Sequence, residues 1–189
     1  MDWTLFHALN DLQARTGWAH SSLRLFAKDG VAVFALLLVA GWLVGRRHGA
    51  RAVAGSVSAG AAALVALALN QLIGHVVDRA RPYATHAGVH LLIARTSDFS
   101  FPSDHAAVAG AVAMGLLLVE RRLGLVALLA AVVMAFSRVY VGAHYPGDVL
   151  AGLSIGALAA VVLHPLVVRL LVPVIDRLAA TRMGLWVRA

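Results

Sequence analysis

The stretch from Ala52 to Val77 constrains the fold more than any other part of the sequence, because it contains no charged residue. It is longer than the roughly 20 apolar residues that a helix needs to cross a ~30 Å hydrocarbon layer. A helix is the expected spanning structure for such a run, since it satisfies its backbone hydrogen bonds internally. The whole chain has 61% hydrophobic residues and a mean hydropathy of +0.83. We therefore expect an integral membrane protein.

Four further apolar segments are predicted to span the membrane. They lie, in chain order, within residues 21–44, 103–119, 123–141 and 148–168. Small residues recur along these segments and would let neighbouring helices pack closely. The sequence therefore predicts an all-α, polytopic transmembrane helix bundle of about five to six spans, forming a single domain over residues 1–189.

Two segments are predicted to lie outside the spans. Residues 1–20 carry apolar residues near helical spacing with polar residues between them, a pattern typical of a helix at the membrane interface. Residues 83–101 are polar and irregular, so we expect an extracytoplasmic loop that can fold over a site.

The distribution of charge predicts the orientation. The net charge is +7 although only 13% of residues are charged, which indicates either a nucleic-acid partner or arginines that flank membrane spans. The apolar runs favour the second interpretation, so no nucleic-acid partner is expected. If five spans alternate, the basic clusters at 46–51, 121–122 and 169–188 fall on one side, which is predicted to be cytoplasmic.

Two segments at the opposite, outer ends of the spans carry residues suited to bind an anion. Pro82 ends a predicted helix and fixes the backbone at Arg81, so that its guanidinium group can be held toward one oxyanion. Ser103 is a predicted N-cap, and the amides of the following turn, which contains His105, suit phosphate oxygens. The alternatives are that Arg79 and Arg81 only anchor the membrane boundary and that Ser103 only caps a helix.

A third segment places a histidine beside a carboxylate. Pro146 suits the first position of a helix, which puts His144 just before it and Asp148 in its first turn. We expect the Asp148 carboxylate to bind one ring nitrogen of His144 and leave the other as a nucleophile. Asp148 could instead be only a favourable charge at a helix N-terminus. Arg138, at the end of the preceding span, is a further candidate anion ligand.

This collection of ionisable groups at one membrane face is costly unless it serves a substrate. It can bind a tetrahedral phosphate, attack it and protonate the departing oxygen. No metal or other cofactor is expected, because arginines, Ser103 and helix amides can neutralise the phosphate oxygens and the carboxylates are too few for a two-metal site. The chain has no cysteine, which excludes thiolate catalysis.

The three segments together resemble the signature of the type 2 phosphatidic acid phosphatase superfamily. The matching residues are Arg81-Pro82, then Pro102-Ser103-Asp104-His105, then Ser137-Arg138 with His144 and Asp148. The resemblance implies a phosphatase/haloperoxidase-like site in which His144 is the nucleophile, Asp148 orients it and His105 is the general acid. It also implies that Arg81, Ser103 and Arg138 bind phosphate.

At two positions the chain departs from that signature, and there it resembles the bacterial branch of undecaprenyl pyrophosphate phosphatases. Gly74 stands where the family has a lysine, and Asp104 stands where it has a glycine. Arg79 is the candidate to replace the lysine or to contact a second phosphate, and Asp104 is included among the phosphate-binding candidates.

The resemblance implies hydrolysis of undecaprenyl pyrophosphate to the monophosphate and inorganic phosphate through a phosphohistidine, in the bacterial cytoplasmic membrane with the site facing outward. The partners would be the membrane and this lipid-linked phosphate. One alternative is a phosphomonoesterase on phosphatidic acid, phosphatidylglycerol phosphate or another lipid phosphate. A lipid transporter or flippase is another, although its charges would be expected at the midplane. A non-catalytic scaffold is the third, and nothing indicates an oligomeric state.

Overall fold

The computed structural model describes residues 2–181, and within that range it contains helices and no strand. The helices are α1 (Asp2–Asn10), α2 (His20–Asp29), α3 (Val31–His48), α4 (Ala50–Val77), α5 (Pro82–Thr85), α6 (Asp104–Leu117), α7 (Arg121–Tyr140) and α8 (Pro146–Ala179). Short 3₁₀ turns at Asp11–Arg15 and Gly17–Ala19 connect α1 to α2. Part of the predicted basic tail, including Arg182 and Arg188, lies outside the described residues.

Four helices, α3, α4, α7 and α8, are long and apolar enough to cross a membrane, so the protein is a multi-pass membrane protein. Helix α6, predicted as a full span, has only 14 residues, about 21 Å at 1.5 Å per residue. It lies at the centre of the bundle against α4, α7 and α8, and most of its residues are buried. The last helix is longer than predicted and runs on to Ala179.

Close packing of α8 against α6 positions the outer ends of both helices. Gly152 and Gly156 of α8 face the carbonyl oxygens of Ser103 and Ala107, and a Cβ atom at either glycine would overlap the carbonyl it faces. Because the backbones approach this closely, the Ser103 amide can donate to the Asp148 carbonyl at 3.1 Å. The first turns of α6 and α8, which carry the predicted site residues, are thereby joined.

The N-terminal segment packs on protein. Phe6 of α1 is 1% exposed and lies in a cluster with Val139 and Tyr145, at the outer ends of α7 and α8. The amides of Asn10 and Gln13 donate to backbone carbonyls of the loop and of the end of α7. The apolar face that the sequence pattern assigns to the membrane interface is therefore used mainly to cover the outer ends of the bundle.

The connection between α5 and α6 is irregular and is tied to the helix ends, whereas the first three residues of the predicted loop, 83–85, belong to α5. The Ser100 amide donates to the Arg79 carbonyl at 2.8 Å, and the Leu92 amide donates to the Val141 carbonyl at 3.2 Å. The Tyr83 hydroxyl donates to the Thr96 carbonyl at 3.0 Å. These bonds hold the loop over the region where the predicted site residues meet.

Candidate active site

A cavity of about 320 Å³ lies at the outer helix ends, in the size range of small-molecule sites. It brings together residues from all three predicted segments. Its polar lining consists of Lys28, Arg81, Thr96, Asp98, Asp104, His105, Arg138 and His144. The remaining lining residues are apolar and come mainly from the loop before α6.

His144 is buried in the connection between α7 and α8, with a defined tautomer. Its Nδ1 atom lies 2.7 Å from the Ser100 carbonyl oxygen, an acceptor that requires a proton on Nδ1. The lone pair is therefore on Nε2, which is 3.1 Å from Nη1 of Arg81 and 3.1 Å from Nη2 of Arg138. Burial, with the positive charges of Arg138 and Arg81, lowers the pKa of His144 well below its ordinary value. The ring is thus held neutral, with Nε2 directed at two cationic groups.

Asp148 does not bind His144 directly, so the predicted hydrogen bond between them is wrong. Its Oδ2 atom is 3.8 Å from Nδ1 of His144, too far for a hydrogen bond. Oδ2 instead accepts from the Ser100 hydroxyl at 2.5 Å and from the Tyr145 amide at 2.9 Å. Ser100 joins the two residues, because its hydroxyl donates to Asp148 while its carbonyl accepts from His144. No feature of the sequence had indicated this role for Ser100.

Arg79 binds carboxylates at both ends of its guanidinium group, and the structure does not bring it into the cavity with Arg81 and Arg138. Nη1 donates to Oδ1 of Asp148 at 2.7 Å, and Nη2 donates to Oδ2 of Asp2 at 2.7 Å. The group also lies 4.0 Å from the centre of the Tyr145 ring. Asp2 in turn accepts from the Gly147 amide at 2.9 Å. Arg79 is absent from the cavity lining described above, and it neutralises the buried Asp148.

Arg81 is buried and reaches both His144 and the loop. Nη1 donates to the Ala143 carbonyl at 2.9 Å, while Nε and Nη2 donate to the Asp98 carboxylate at 3.1 and 2.9 Å. Burial would raise the pKa of Asp98, but a hydrogen bond from Thr96 and the charge of Arg81 outweigh it and hold that pKa below its ordinary value. Asp98 thus binds one edge of the guanidinium group, whose other edge faces the nucleophile.

Two buried donors in the site have no hydrogen-bond partner within residues 2–181. Arg138 donates from Nη1 to the Ala27 carbonyl at 2.8 Å, but its Nε atom is unpaired. Ser103 occupies the predicted N-cap of α6, yet its fully buried hydroxyl makes no capping bond and is also unpaired. Leaving such a group unsatisfied costs about 1–3 kcal/mol, so unpaired donors beside a cavity indicate a ligand that accepts hydrogen bonds.

His105 and Asp104 form the first turn of α6. The His105 ring lies near the backbone carbonyl of Lys28, at the end of α2. Asp104 accepts from Asn70 Nδ2 at 3.1 Å and from Gln71 Nε2 at 2.9 Å. Asp104 also lines the cavity, and its two hydrogen bonds hold the start of α6 against α4.

At Gly74, where the family has a lysine, the space that a side chain would enter is bordered by the Phe99 ring. A Cβ atom on Gly74 would lie 3.1 Å from the Phe99 ring and 3.4 Å from the Phe101 carbonyl oxygen. The loop therefore packs directly against α4 at this point, and a longer side chain there would displace Phe99.

The anion ligands available in this site are nitrogen and hydroxyl donors. Among residues 2–181, no three His, Asp or Glu side chains lie close enough together to hold a metal ion. The cavity is lined by an unprotonated imidazole nitrogen and two guanidinium groups, and the unpaired hydroxyl of Ser103 lies between the lining residues Pro102 and Asp104 in the chain. This is a suitable environment for attack on a tetrahedral oxyanion.

Comparison with known proteins agrees with the sequence signature. The sequence profile of the PAP2 superfamily matches residues 55–171. The undecaprenyl-diphosphatase BcrC of Bacillus subtilis (strain 168) is 33% identical over 82% of this chain and 78% of its own length. The putative undecaprenyl-diphosphatase YbjG of Escherichia coli (strain K12) is 34% identical over 82% and 77%. The crystal structure of Aquifex aeolicus LpxE has the same fold, with a TM-score of 0.64 and 24% identity over 85% of this chain and 92% of that one.

Proposed function

Because the chain belongs to the PAP2 superfamily and is a membrane lipid phosphatase, we propose that it hydrolyses a polyprenyl diphosphate to the monophosphate and inorganic phosphate. The relatives BcrC and YbjG, which match most of the chain, are named for undecaprenyl diphosphate. The cavity supports an anionic substrate, since cationic and unpaired donor groups surround it.

One observation carries the proposed reaction, namely the environment of Nε2 of His144. The lone pair is fixed on this atom by the Ser100 carbonyl, and two guanidinium nitrogens lie at 3.1 Å from it. Guanidinium groups that contact the nucleophile before substrate binds are already placed to hold the equatorial oxygens of the phosphorus under attack.

In the first step Nε2 of His144 attacks the terminal phosphorus in line with the bridging oxygen. The Nε2–P bond forms while the bond from phosphorus to the bridging oxygen breaks, and the polyprenyl monophosphate leaves. Arg81, Arg138 and the Ser103 hydroxyl bind the equatorial oxygens. His105 donates a proton to the bridging oxygen as it leaves. The ring of the phosphohistidine is cationic, and Asp148 stabilises it through Ser100.

In the second step water displaces His144 from phosphorus. His105, now neutral, accepts the proton of the attacking water, and the Nε2–P bond breaks with its electron pair returning to Nε2. Inorganic phosphate is released and His105 is again protonated. His144 recovers its starting tautomer, because the proton on Nδ1 stays there throughout, hydrogen-bonded to the Ser100 carbonyl.

We place the enzyme in the bacterial cytoplasmic membrane with the cavity facing outward. The basic clusters at 46–51 and 121–122 lie at the helix ends opposite to the cavity, and such clusters favour the cytoplasmic side. The exposed leucines and valines of the bundle would contact lipid, where the polyprenyl tail also lies.

A substrate panel on the purified protein tests this proposal. Phosphate release from polyprenyl diphosphate and from phosphatidic acid is compared in the same detergent with a chelator present, and His144→Ala is the inactive control. The expected result is a higher kcat/KM for the diphosphate that is unaffected by the chelator. Preference for phosphatidic acid would instead support the phosphomonoesterase alternative, and loss of activity with chelator would contradict the metal-free mechanism.

A further inference from the structure

Lys28 is a cationic residue of the cavity that the two steps above do not use. It is exposed, and it lines the same cavity as His105, Arg138 and His144. Within residues 2–181 its ammonium group forms no ion pair and no hydrogen bond. A cation that has no protein partner but borders an anion site is available to bind part of the substrate.

The backbone of Lys28 is fixed beside the general acid. The carbonyl of Ala27 accepts from Arg138 at 2.8 Å, and the carbonyl of Lys28 lies near the His105 ring. Carbonyls in the last turn of a helix such as α2 have no partner within the helix, and they carry the negative end of its dipole. Arg138 therefore holds the end of α2, and Lys28 lies on the His105 side of the cavity.

The carboxylates of the cavity do not neutralise Lys28. Asp98 pairs with Arg81 at 2.9 Å, and Asp104 accepts from the amides of Asn70 and Gln71. The positive charge of Lys28 therefore remains available on the side where His105 delivers its proton.

An in-line reaction separates the two sides of the substrate. The nucleophile His144 approaches one face of the phosphorus, and the leaving oxygen departs from the opposite face, toward the proton donor His105. The leaving group of a phosphomonoester is an alcohol, which carries no net charge once it is protonated. The leaving group of a diphosphate is a second phosphate, which carries negative charge and several acceptor oxygens.

We infer that Lys28 binds the leaving phosphate of a lipid diphosphate and so makes the enzyme prefer diphosphates over phosphomonoesters. This inference rests on the proposed function and names the residue that determines its specificity. Because Lys28 is exposed, its attraction for phosphate is weakened by water and salt. Its removal should lower kcat/KM for the diphosphate about tenfold, which corresponds to about 1.4 kcal/mol.

The test compares Lys28→Gln and Lys28→Arg on two substrates with the same lipid tail, polyprenyl diphosphate and polyprenyl monophosphate. Lys28→Gln should reduce kcat/KM about tenfold for the diphosphate and less than about twofold for the monophosphate, since only the first substrate has a phosphate leaving group. Lys28→Arg retains the charge and should restore most of the preference. Asp29→Asn, a change at the neighbouring exposed residue, is the matched control and should change neither rate.

A binding measurement provides a second readout that does not depend on turnover. Lys28→Gln should weaken inhibition by methylenediphosphonate, a non-hydrolysable diphosphate, while leaving inhibition by orthovanadate unchanged. Equal losses on both substrates, or a diphosphate preference that survives Lys28→Gln, would overturn the inference alone. A wild-type enzyme that hydrolyses only the monophosphate would contradict the proposed function and the inference together.

Discussion

Replacing Arg79 by Gln removes the counter-charge of Asp148 and leaves the cavity lining intact. The Asp148 side chain is fully buried, and it loses a 2.7 Å bond to a guanidinium group that is itself 31% exposed. Breaking a buried ion pair costs about 3–5 kcal/mol, and a hydrogen bond to a charged group contributes about 1.5–3 kcal/mol. Water can reach the Arg79 position, so we expect a loss near 2 kcal/mol in the free energy of unfolding.

The catalytic effect should appear in kcat. Asp148 acts on His144 through Ser100, so a displaced carboxylate disturbs the nucleophile and not the phosphate ligands. We expect kcat to fall about tenfold. This fall corresponds to about 1.4 kcal/mol, roughly two thirds of the expected loss in the free energy of unfolding. KM for the diphosphate and inhibition by orthovanadate should change less than about twofold, because Arg79 does not contact the cavity. Steady-state kinetics and unfolding in mixed micelles give these quantities.

A double-mutant cycle separates the two possible roles of Arg79. In an Asp148→Asn background, Arg79→Gln should have little further effect on kcat, because the charge that acts on His144 through Ser100 is already gone. Arg79→Lys should recover part of the stability. Unchanged kcat with a raised KM and weaker vanadate inhibition would refute this reasoning and return Arg79 to the phosphate site.

Three further predictions concern residues that line or support the cavity. Arg138→Gln should lower kcat/KM by about 10² to 10³. It also removes a positive charge that lowers the pKa of His144, so this pKa should rise and the acid limb of the pH profile of kcat/KM should move toward neutral pH. Ser103→Ala should lower kcat/KM about tenfold without reducing the unfolding midpoint, since the hydroxyl has no hydrogen-bond partner among the described residues. A destabilised variant would count against a ligand role. Asp98→Asn should tighten inhibition by orthovanadate severalfold, because the N–H groups of Arg81 that now bind the carboxylate would be available to the anion. Weaker inhibition would mean that Asp98 mainly positions Arg81.

Much of the bundle could be predicted from hydropathy, because a long apolar segment has few alternatives in a bilayer. The predicted spans within 21–44, 52–77 and 123–141 correspond to helices α2–α3, α4 and α7. The short length of α6 could not be predicted in the same way. Its 14 residues are buried among other helices, so the apolar pattern continues past the point where the helix ends.

The residues that meet in the cavity could also be predicted, because Arg81, His105, Arg138 and His144 lie at helix ends on one side of the bundle. Their supporting contacts could not. Ser100 acts partly through its backbone carbonyl, a group that every residue has and that leaves no trace in the sequence.

The partners of the arginines depend on contacts between distant parts of the chain. Arg79 pairs with Asp2, which is 77 residues away in sequence, and Arg81 pairs with Asp98 in an irregular loop. Hydrophobic periodicity says nothing about either contact. Without these contacts, every arginine near the site is an equally good candidate for phosphate binding, which is why the sequence alone does not separate Arg79 from Arg81 and Arg138.

The most direct test of the account is to trap the covalent intermediate. The enzyme is mixed with polyprenyl diphosphate carrying a radioactive terminal phosphate and quenched in alkali, where phosphohistidine survives, and the labelled peptide is identified by mass spectrometry. We predict label on His144, absent from His144→Ala and retained longer in His105→Ala, which lacks the base for hydrolysis. Label on another residue, or label that persists in His144→Ala, would contradict the central claim.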